Sequence, residues 1–481
     1  MGLRMDKRNK LKGIAILGVT LSLASCATIP DLGGAPKPKT ATDYAATQSF
    51  AGQAREWPSD GWWNAYGDPQ LSSLIDAALQ GSPTMAQAQA RITKAAAAAG
   101  EAQAASLPTL EGDGSYAEVK ESLNQGFPPQ FAQYLPRGYN SSGYLALKFG
   151  YEFDFWGKNR AAIAAASSEL RAAQADAAEA RLALSTGMAL AYADLGRLFA
   201  ERDVAERSVQ NKEETAGLVL RRVENGVDTR AELKEAEAGA PAARAQMAAV
   251  DEEIAQTRNR IAALMGAGPD RGIDIQRPAA LHLNAFGLPA QLQAQLLGRR
   301  PDLVAARWRA EAAAKRIHVA QAQFYPNINL VAYIGQQALF ANLLFKPSSQ
   351  IGSVGPAVTL PIFEGGRLRE QYRGARSDYD DAVASYDATL VQALEELADA
   401  AASERALGVR LQESKTALAA DEEAYKLTRM RYEGGLANYQ SVLLAEDAVL
   451  QARTIVADLD ARAFTLDVEL VQALGGGYIE S

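Results

Sequence analysis

The side chains able to do chemistry are few. The chain holds two histidines and one cysteine in 481 residues. His318 falls in a helical segment and His282 in a linker, so neither a His-based triad nor a multi-His metal cluster can be assembled. Gly266-x-Gly268 and Gly475-Gly476-Gly477 lack the strand-loop-helix setting of a phosphate-binding loop and read as helix ends. Asp251-Glu252-Glu253 reads as a solvated helix face. No enzyme activity, cofactor or metal is expected. Cys26 is different. Arg4, Lys7, Arg8, Lys10 and Lys12 precede an apolar run from Gly13 to Leu23, about eleven residues long, as in a signal-peptide core. Leu23-Ala24-Ser25 then lead into the cysteine. Small residues before a cysteine are what a lipoprotein signal peptidase requires. The thiol then carries the lipid, Cys26 becomes the first residue, and Ala27 in place of an aspartate permits transfer to the outer membrane. The expected location is outside a bacterial cytoplasm, anchored to a membrane.

Removing residues 1–25, with five Lys/Arg against one Asp, takes the net charge from −8 to −12. Such a balance disfavours nucleic acid, which is bound by neutralising phosphates. A lone cysteine permits no disulfide framework. No later apolar run reaches the ~18 residues of a membrane helix, so further contact with a bilayer must use strands. Residues 30–60, with Gly33, Gly34, Pro36 and Pro38, read as a flexible tether.

The chain repeats itself. Pro83 and Pro108 recur as Pro301 and Pro326, and Ala102-Gln103-Ala104 as Ala320-Gln321-Ala322. Phe155 and Gly157 match Phe363 and Gly365, and Arg222-x-Glu224-x-Gly226 matches Arg431-x-Glu433-x-Gly435. Blocks in one order identify two copies of a unit of roughly 210 residues. Each copy reads as helix, strand, strand, long helix, helix. Proline is absent between Pro136 and Pro241 and after Pro361, and alanine dominates, so Lys158–Glu224 and Arg367–Glu433 are each expected as one helix of about 100 Å at ~1.5 Å per residue. Helices of that length do not fold into a globule.

The strands carry a membrane pattern. Leu145, Leu147, Phe149, Tyr151, Phe153 and Phe155 alternate with Ala146, Lys148, Gly150, Glu152 and Asp154. Eleven residues of strict period two suit a tilted strand with one face to lipid and the other to a lumen. Ile328 to Ile334 and Val354 to Ile362 repeat the alternation, whereas Leu110 to Val119 is weakly patterned. Four strands cannot close a barrel, since the smallest closed forms have about eight. Copies of the chain must therefore pool strands, though the residues alone do not choose the number.

Motifs along nearly the whole mature chain resemble the TolC superfamily, and within it the lipoprotein branch of outer-membrane efflux proteins (NodT/OprM-like). They are Trp62-Trp63, Asp68-Pro69-x-Leu71, Arg299-Arg300-Pro301-Asp302-Leu303-x-Ala305-Ala306, Phe324-Tyr325-Pro326, Asp154-x-Trp156-Gly157-Lys158, Leu360-Pro361-Ile362-Phe363-x-Gly365-Gly366 and Ala473-Leu474-Gly475-Gly476-Gly477-Tyr478. The resemblance implies a mainly α fold with a transmembrane β part, in which a long-helix α-barrel continues into a trimeric twelve-stranded β-barrel. It implies a homotrimer in outer-membrane lipid, the exit duct of a tripartite pump with a periplasmic adaptor and an inner-membrane transporter of the resistance-nodulation-division type. The organisation read from the chain is a signal peptide at 1–25, a lipidated tether at 26–60, a first repeat at 61–268, a linker at 269–287, a second repeat at 288–475 and a tail at 476–481. Within the repeats, strands are expected near 110–120, 144–156, 327–337 and 353–363, and tips near 225–228 and 434–437.

The resemblance also assigns sites. Arg222, Gly226, Val227, Arg431, Tyr432, Gly434, Gly435 and Leu436 are expected at the tips that meet the adaptor. Glu235, Leu444, Glu446 and Asp447 are candidates for the aperture, although relatives often carry an aspartate where this chain has Leu444. Two other readings stay open: the pore of a type I protein secretion system, and a non-conducting envelope spacer.

Overall fold

The computed structural model describes residues 28–45, 48–50, 56–122, 134, 136–279, 288–289 and 292–480. Cys26 and His282 lie outside them. The elements, in order, are α1 (Pro69–Gly81), α2 (Pro83–Ala104), β1 (Thr109–Val119), β2 (Asn140–Phe153), α3 (Lys158–Glu224), α4 (Arg230–Leu264), α5 (Asp270–Ile273), α6 (Leu292–Arg299), α7 (Pro301–Ala322), β3 (Asn327–Ala338), β4 (Gln350–Thr359), α8 (Arg367–Glu433) and α9 (Tyr439–Ala473). The order α2-β1-β2-α3-α4 recurs as α7-β3-β4-α8-α9, so the duplication is structural. Among the described residues no helix is long and apolar enough to cross a membrane.

The chain divides into two compact units. One takes the part up to Lys37, Thr93–Arg171 and Trp308–Ala384, and the other Pro38–Ile92, Ala172–Arg307 and Ser385–Ser481. The first unit holds an antiparallel sheet in the order β1-β2-β3-β4. Its second and fourth strands run Asn140–Phe153 and Gln350–Thr359, where 144–156 and 353–363 were expected. Both end early for local reasons. Asp154 turns its carboxylate onto the start of α3, accepting the N–H groups of Asn159 (3.2 Å) and Arg160 (2.9 Å). That places Phe155 in the turn beyond the strand. Pro361, lacking an N–H, cannot extend β4. Pro356 lies inside β4, opposite Leu330 of β3.

The tether is not free where it is described. Arg376 on α8 donates to the carbonyls of Gly33 (3.3 Å) and Gly34 (2.6 Å), and Tyr379 to that of Pro36 (3.0 Å). In the other unit the Lys39 N–H donates to Asp387 (2.9 Å), and Ala41 is buried beside Leu292 and Leu390. A Gly/Pro segment forms neither helix nor ladder, so its carbonyls are available to side-chain donors.

The second unit owns the larger core. Asp68 caps α1 through the N–H groups of Gln70 and Leu71, with Pro69 in the first helical position. Its other oxygen accepts from the buried Tyr192 hydroxyl (2.6 Å). Around them Trp62, Trp63, Tyr66, Leu71, Ile75, Met188, Ile261 and Phe464 form one cluster. The Arg-Arg-Pro-Asp motif organises a second. Buried Arg300 pairs with both oxygens of Asp302 (3.1 and 2.7 Å), with Glu396 (2.7 Å) and with the Ala473 carbonyl (3.2 Å). Beside it, burial and the Asp302 charge push the Glu179 carboxyl up to about 7.

Candidate functional site

In the sheet, pairing decides which side chains share a face. Leu147 lies opposite Gly112 and Ile334, Phe149 opposite Leu110 and Ala332, Tyr151 opposite Leu330, and Phe153 opposite Ile328. Ala332 continues to Val354, Leu330 to Pro356, and Ile328 to Val358. The apolar sets of three strands thus merge into one face. On β1 that face holds Leu110, Gly112, Gly114 and Tyr116, and the two glycines explain its weak pattern. The other face carries Glu111, Asp113, Lys148, Glu152, Asn329, Tyr333 and Ser353, with Lys148 Nζ 2.9 Å from Asp113. Leu145, Leu147, Ile334, Val354 and Val358 are all exposed, Leu147 by 53 %. A continuous apolar face of this extent calls for a covering partner or lipid.

At the tips, two helix ends are built alike. The Val227 N–H donates to the Arg222 carbonyl (2.9 Å) and the Gly226 N–H to that of Val223 (3.0 Å). Leu436 and Gly435 repeat the pair onto Arg431 (2.7 Å) and Tyr432 (3.0 Å). This is the Schellman arrangement, which needs a left-handed residue after the helix. Gly226 and Gly435 supply it with φ of 74° and 78°. Space around both is open, so the backbone alone demands glycine. Thr229 and Glu232 then form a capping box at the start of α4, and Asn438 caps α9.

Val227, Arg431, Gly434 and Leu436 are exposed here, but Arg222 and Tyr432 are not available as a docking surface. Tyr432 is fully buried, at 0 % exposure. Arg222 stacks over its ring at 4.2 Å and donates to its carbonyl at 2.6 Å. The Arg222 guanidinium also grips both oxygens of Asp228 (2.9 and 3.1 Å), which accepts from the Tyr432 hydroxyl as well. Burial pushes the Asp228 carboxyl up, but these bonds outweigh it and hold it below the ordinary aspartate value. The three residues tie the first-copy tip to the second. Asp228 was missing from the sequence reading, and its only local signal is its place between the turn glycine and the capping box.

The aperture candidates do not form a set. Glu446 is buried, at 1 % exposure, with Lys212 of α3 3.2 Å away, whereas Glu235, Leu444 and Asp447 are exposed. Burial pushes the Glu446 carboxyl up more than Lys212 lowers it. That carboxylate is committed to a contact within the protomer. Among the described residues no cluster of acids, histidines or cysteines suited to a metal occurs.

A four-stranded sheet with one continuous apolar face, in a chain that also forms two helices of 67 residues, is the pattern of a membrane β-strand protein. The outer membrane efflux protein family matches residues 74–267 and 292–476, and the chain belongs to that family. It is 37 % identical to the fusaric acid resistance protein FusA of Burkholderia cepacia over 76 % of this chain and 69 % of that one. It is 30 % identical to the multidrug resistance outer membrane protein MdtP of Shigella flexneri over 96 % of each. The crystal structure of the outer membrane protein VceC of Vibrio cholerae superposes with a TM-score of 0.82 at 43 % identity, covering 88 % of this chain and all of that one.

Proposed function

We propose that this protein is the outer-membrane exit duct of a tripartite efflux pump, carrying small molecules out of the periplasm. The register of the sheet supports this reading most directly. Apolar residues of successive strands share one face, Lys148 and Glu152 share the other, and β1 and β4 are left as edges. Four strands do not close, and an open edge is avoided in lipid. Three chains supply twelve strands, the number the family resemblance implies. In this homotrimer the apolar face meets outer-membrane lipid and the charged face lines the lumen. The names of FusA and MdtP, both resistance proteins, agree with small molecules as cargo.

The helix pairs extend the duct into the periplasm, where the exposed tip residues Val227, Arg431, Gly434 and Leu436 meet a periplasmic adaptor. An inner-membrane transporter of the resistance-nodulation-division type supplies the energy. Cys26 carries the lipid, so Cys26→Ser abolishes labelling by palmitate. The deciding experiment is single-channel conductance of the purified full-length protein in planar bilayers. Discrete openings are expected, and a protein that inserts without conducting is a spacer instead.

A further inference from the structure

The segment that joins β3 to β4, residues 339–349, is apolar where a loop facing water would draw on Gly, Asn, Asp and Ser. Six of the eight residues from Leu339 to Lys346 are apolar, with Leu343, Leu344 and Phe345 in succession. Its backbone turns on itself. The Leu343 and Leu344 N–H groups donate to the carbonyls of Phe340 (2.9 Å) and Ala341 (3.1 Å), and those of Lys346 and Ser349 to Leu343 and Lys346 (both 2.9 Å). The Ser349 hydroxyl donates to the Leu343 carbonyl as well, at 2.9 Å, and Pro347 has no N–H to satisfy. Pairing of this kind is what surroundings poor in water demand.

The sheet shows which way the segment folds. Side chains alternate between faces along a strand, so Ser141 and Gly143 share the face of Leu145 and Leu147. The Ala341 N–H donates to the Ser141 hydroxyl oxygen at 3.1 Å. A Cβ on Gly143 would meet Leu344 at 3.0 Å, so the leucine occupies the space that the glycine leaves open. Ala338, opposite Gly143 on the same face, is buried. The segment therefore bends back over the apolar face and not over the charged one. This contact falls on β2, which has β1 and β3 on either side, so it lies inside the sheet and away from the edges at which copies join. Tyr116 also stands opposite Gly143, with its hydroxyl donating to Glu118 at 2.6 Å.

We propose that residues 339–349 form a lipid-embedded rim, with Leu343, Leu344 and Phe345 among the acyl chains of the outer leaflet. The inference rests on the duct reading, because the apolar face must meet lipid. α3 and α8 follow the opposite ends of β2 and β4, so in the duct this segment lies at the extracellular end. There it continues the apolar face of the sheet as one surface. The exposed Lys346 ends the apolar run with the charge that lipid phosphates attract. Tyr116, a ring with a polar tip at the same level, is the residue type that marks a membrane boundary in barrel strands. A segment folded outward in this way leaves the mouth of the pore uncovered.

The test uses full-length protein carrying a photoreactive residue, in vesicles of phosphatidylethanolamine and phosphatidylglycerol with tritiated acyl chains. The variants are Phe345→benzoylphenylalanine, Leu147→benzoylphenylalanine and Tyr333→benzoylphenylalanine. Tyr333, opposite Lys148 on the charged face of an inner strand, is the reference for a side chain in water. Phe345 is 78 % exposed, so a larger ring there does not put folding at stake. On irradiation, transfer of lipid label at position 345 should match that at 147 and exceed that at 333 by about five-fold or more. Label at 147 but not at 345, or a crosslink from 345 to a second chain in place of lipid, overturns the rim and leaves the duct standing. No excess at 147 overturns the lipid assignment of the whole apolar face, and the duct reading with it. Bilayer conductance of Leu344→Ser should equal that of the wild type. A rise of about two-fold or more would show that the segment caps the pore, and would overturn the proposal.

Discussion

Leu147 and Lys148 are neighbours in sequence, yet an arginine at each should have opposite consequences. Leu147 is the eighth of the 14 residues of β2. At ~3.4 Å per residue and a tilt of about 45°, it sits roughly 14–17 Å in depth from either strand end. An arginine reaching about 7 Å would stay inside an apolar band some 25 Å tall. Its cross-strand neighbours there are Gly112 and Ile334, with no carboxylate to pair. The full mid-membrane cost of ~2–4 kcal/mol per protomer applies, or roughly 30- to 1,000-fold in the folding equilibrium at about 1.4 kcal/mol per decade. Lys148→Arg keeps its charge and its partner Asp113, so its oligomer yield should stay near that of the wild type. The measurement is the yield of heat-resistant oligomer in outer-membrane fractions, with both variants expressed equally. Leu147→Arg should be nearly absent and Lys148→Arg near wild type. Equal losses, or a greater loss at Lys148, would refute the assignment of faces.

Other perturbations read the second unit. Glu179, raised to about 7, keeps a proton in the folded state that the unfolded chain releases near 4.5. Its contribution is therefore full below about 4.5 and lost as the pH rises to about 7, a range worth at most ~3 kcal/mol. Glu179→Gln should remove that decline, so thermal midpoints by circular dichroism at pH 5 and pH 8 should converge relative to wild type. Asp228→Asn takes the charged partner from a largely buried Arg222 and should cost ~2–3 kcal/mol locally, seen as faster amide exchange confined to the tips. The stability Asp228 provides should itself vanish only as the pH falls below about 3.9. Gly435→Trp, at a φ of 78°, should abolish crosslinking to the adaptor and drug resistance while leaving bilayer conductance intact. Normal crosslinking with normal resistance would reduce the loop to a plain turn.

What was legible in the chain was what repeats at short range. Absence of proline marked Lys158–Glu224 and Arg367–Glu433, which are the bounds of the two long helices. Period-two alternation marked strand faces, and the register later aligned those faces across β2, β3 and β4. What stayed hidden depends on residues far apart in sequence. Glu446 read as an aperture carboxylate because nothing near it reveals Lys212, which lies 234 positions earlier in the chain. Gly33 and Gly34 read as a loose tether because Arg376 comes more than 340 positions later.

The tip shows why duplication both helps and misleads. Read by register, Arg222 equals Arg431, and both fall at the end of a long helix, so one role was assigned to both. Among the positions at which the copies differ, two build the contact: Val223 stands where the second copy has Tyr432, and Asp228 where it has Ala437. Those substitutions make a donor on one tip and an acceptor on the other. Arg222 then has a carboxylate and a ring to fill its environment, while Arg431 has neither among these contacts and stays exposed. The exposed arginine, free of that contact, is the one the repeat leaves for a partner outside the chain.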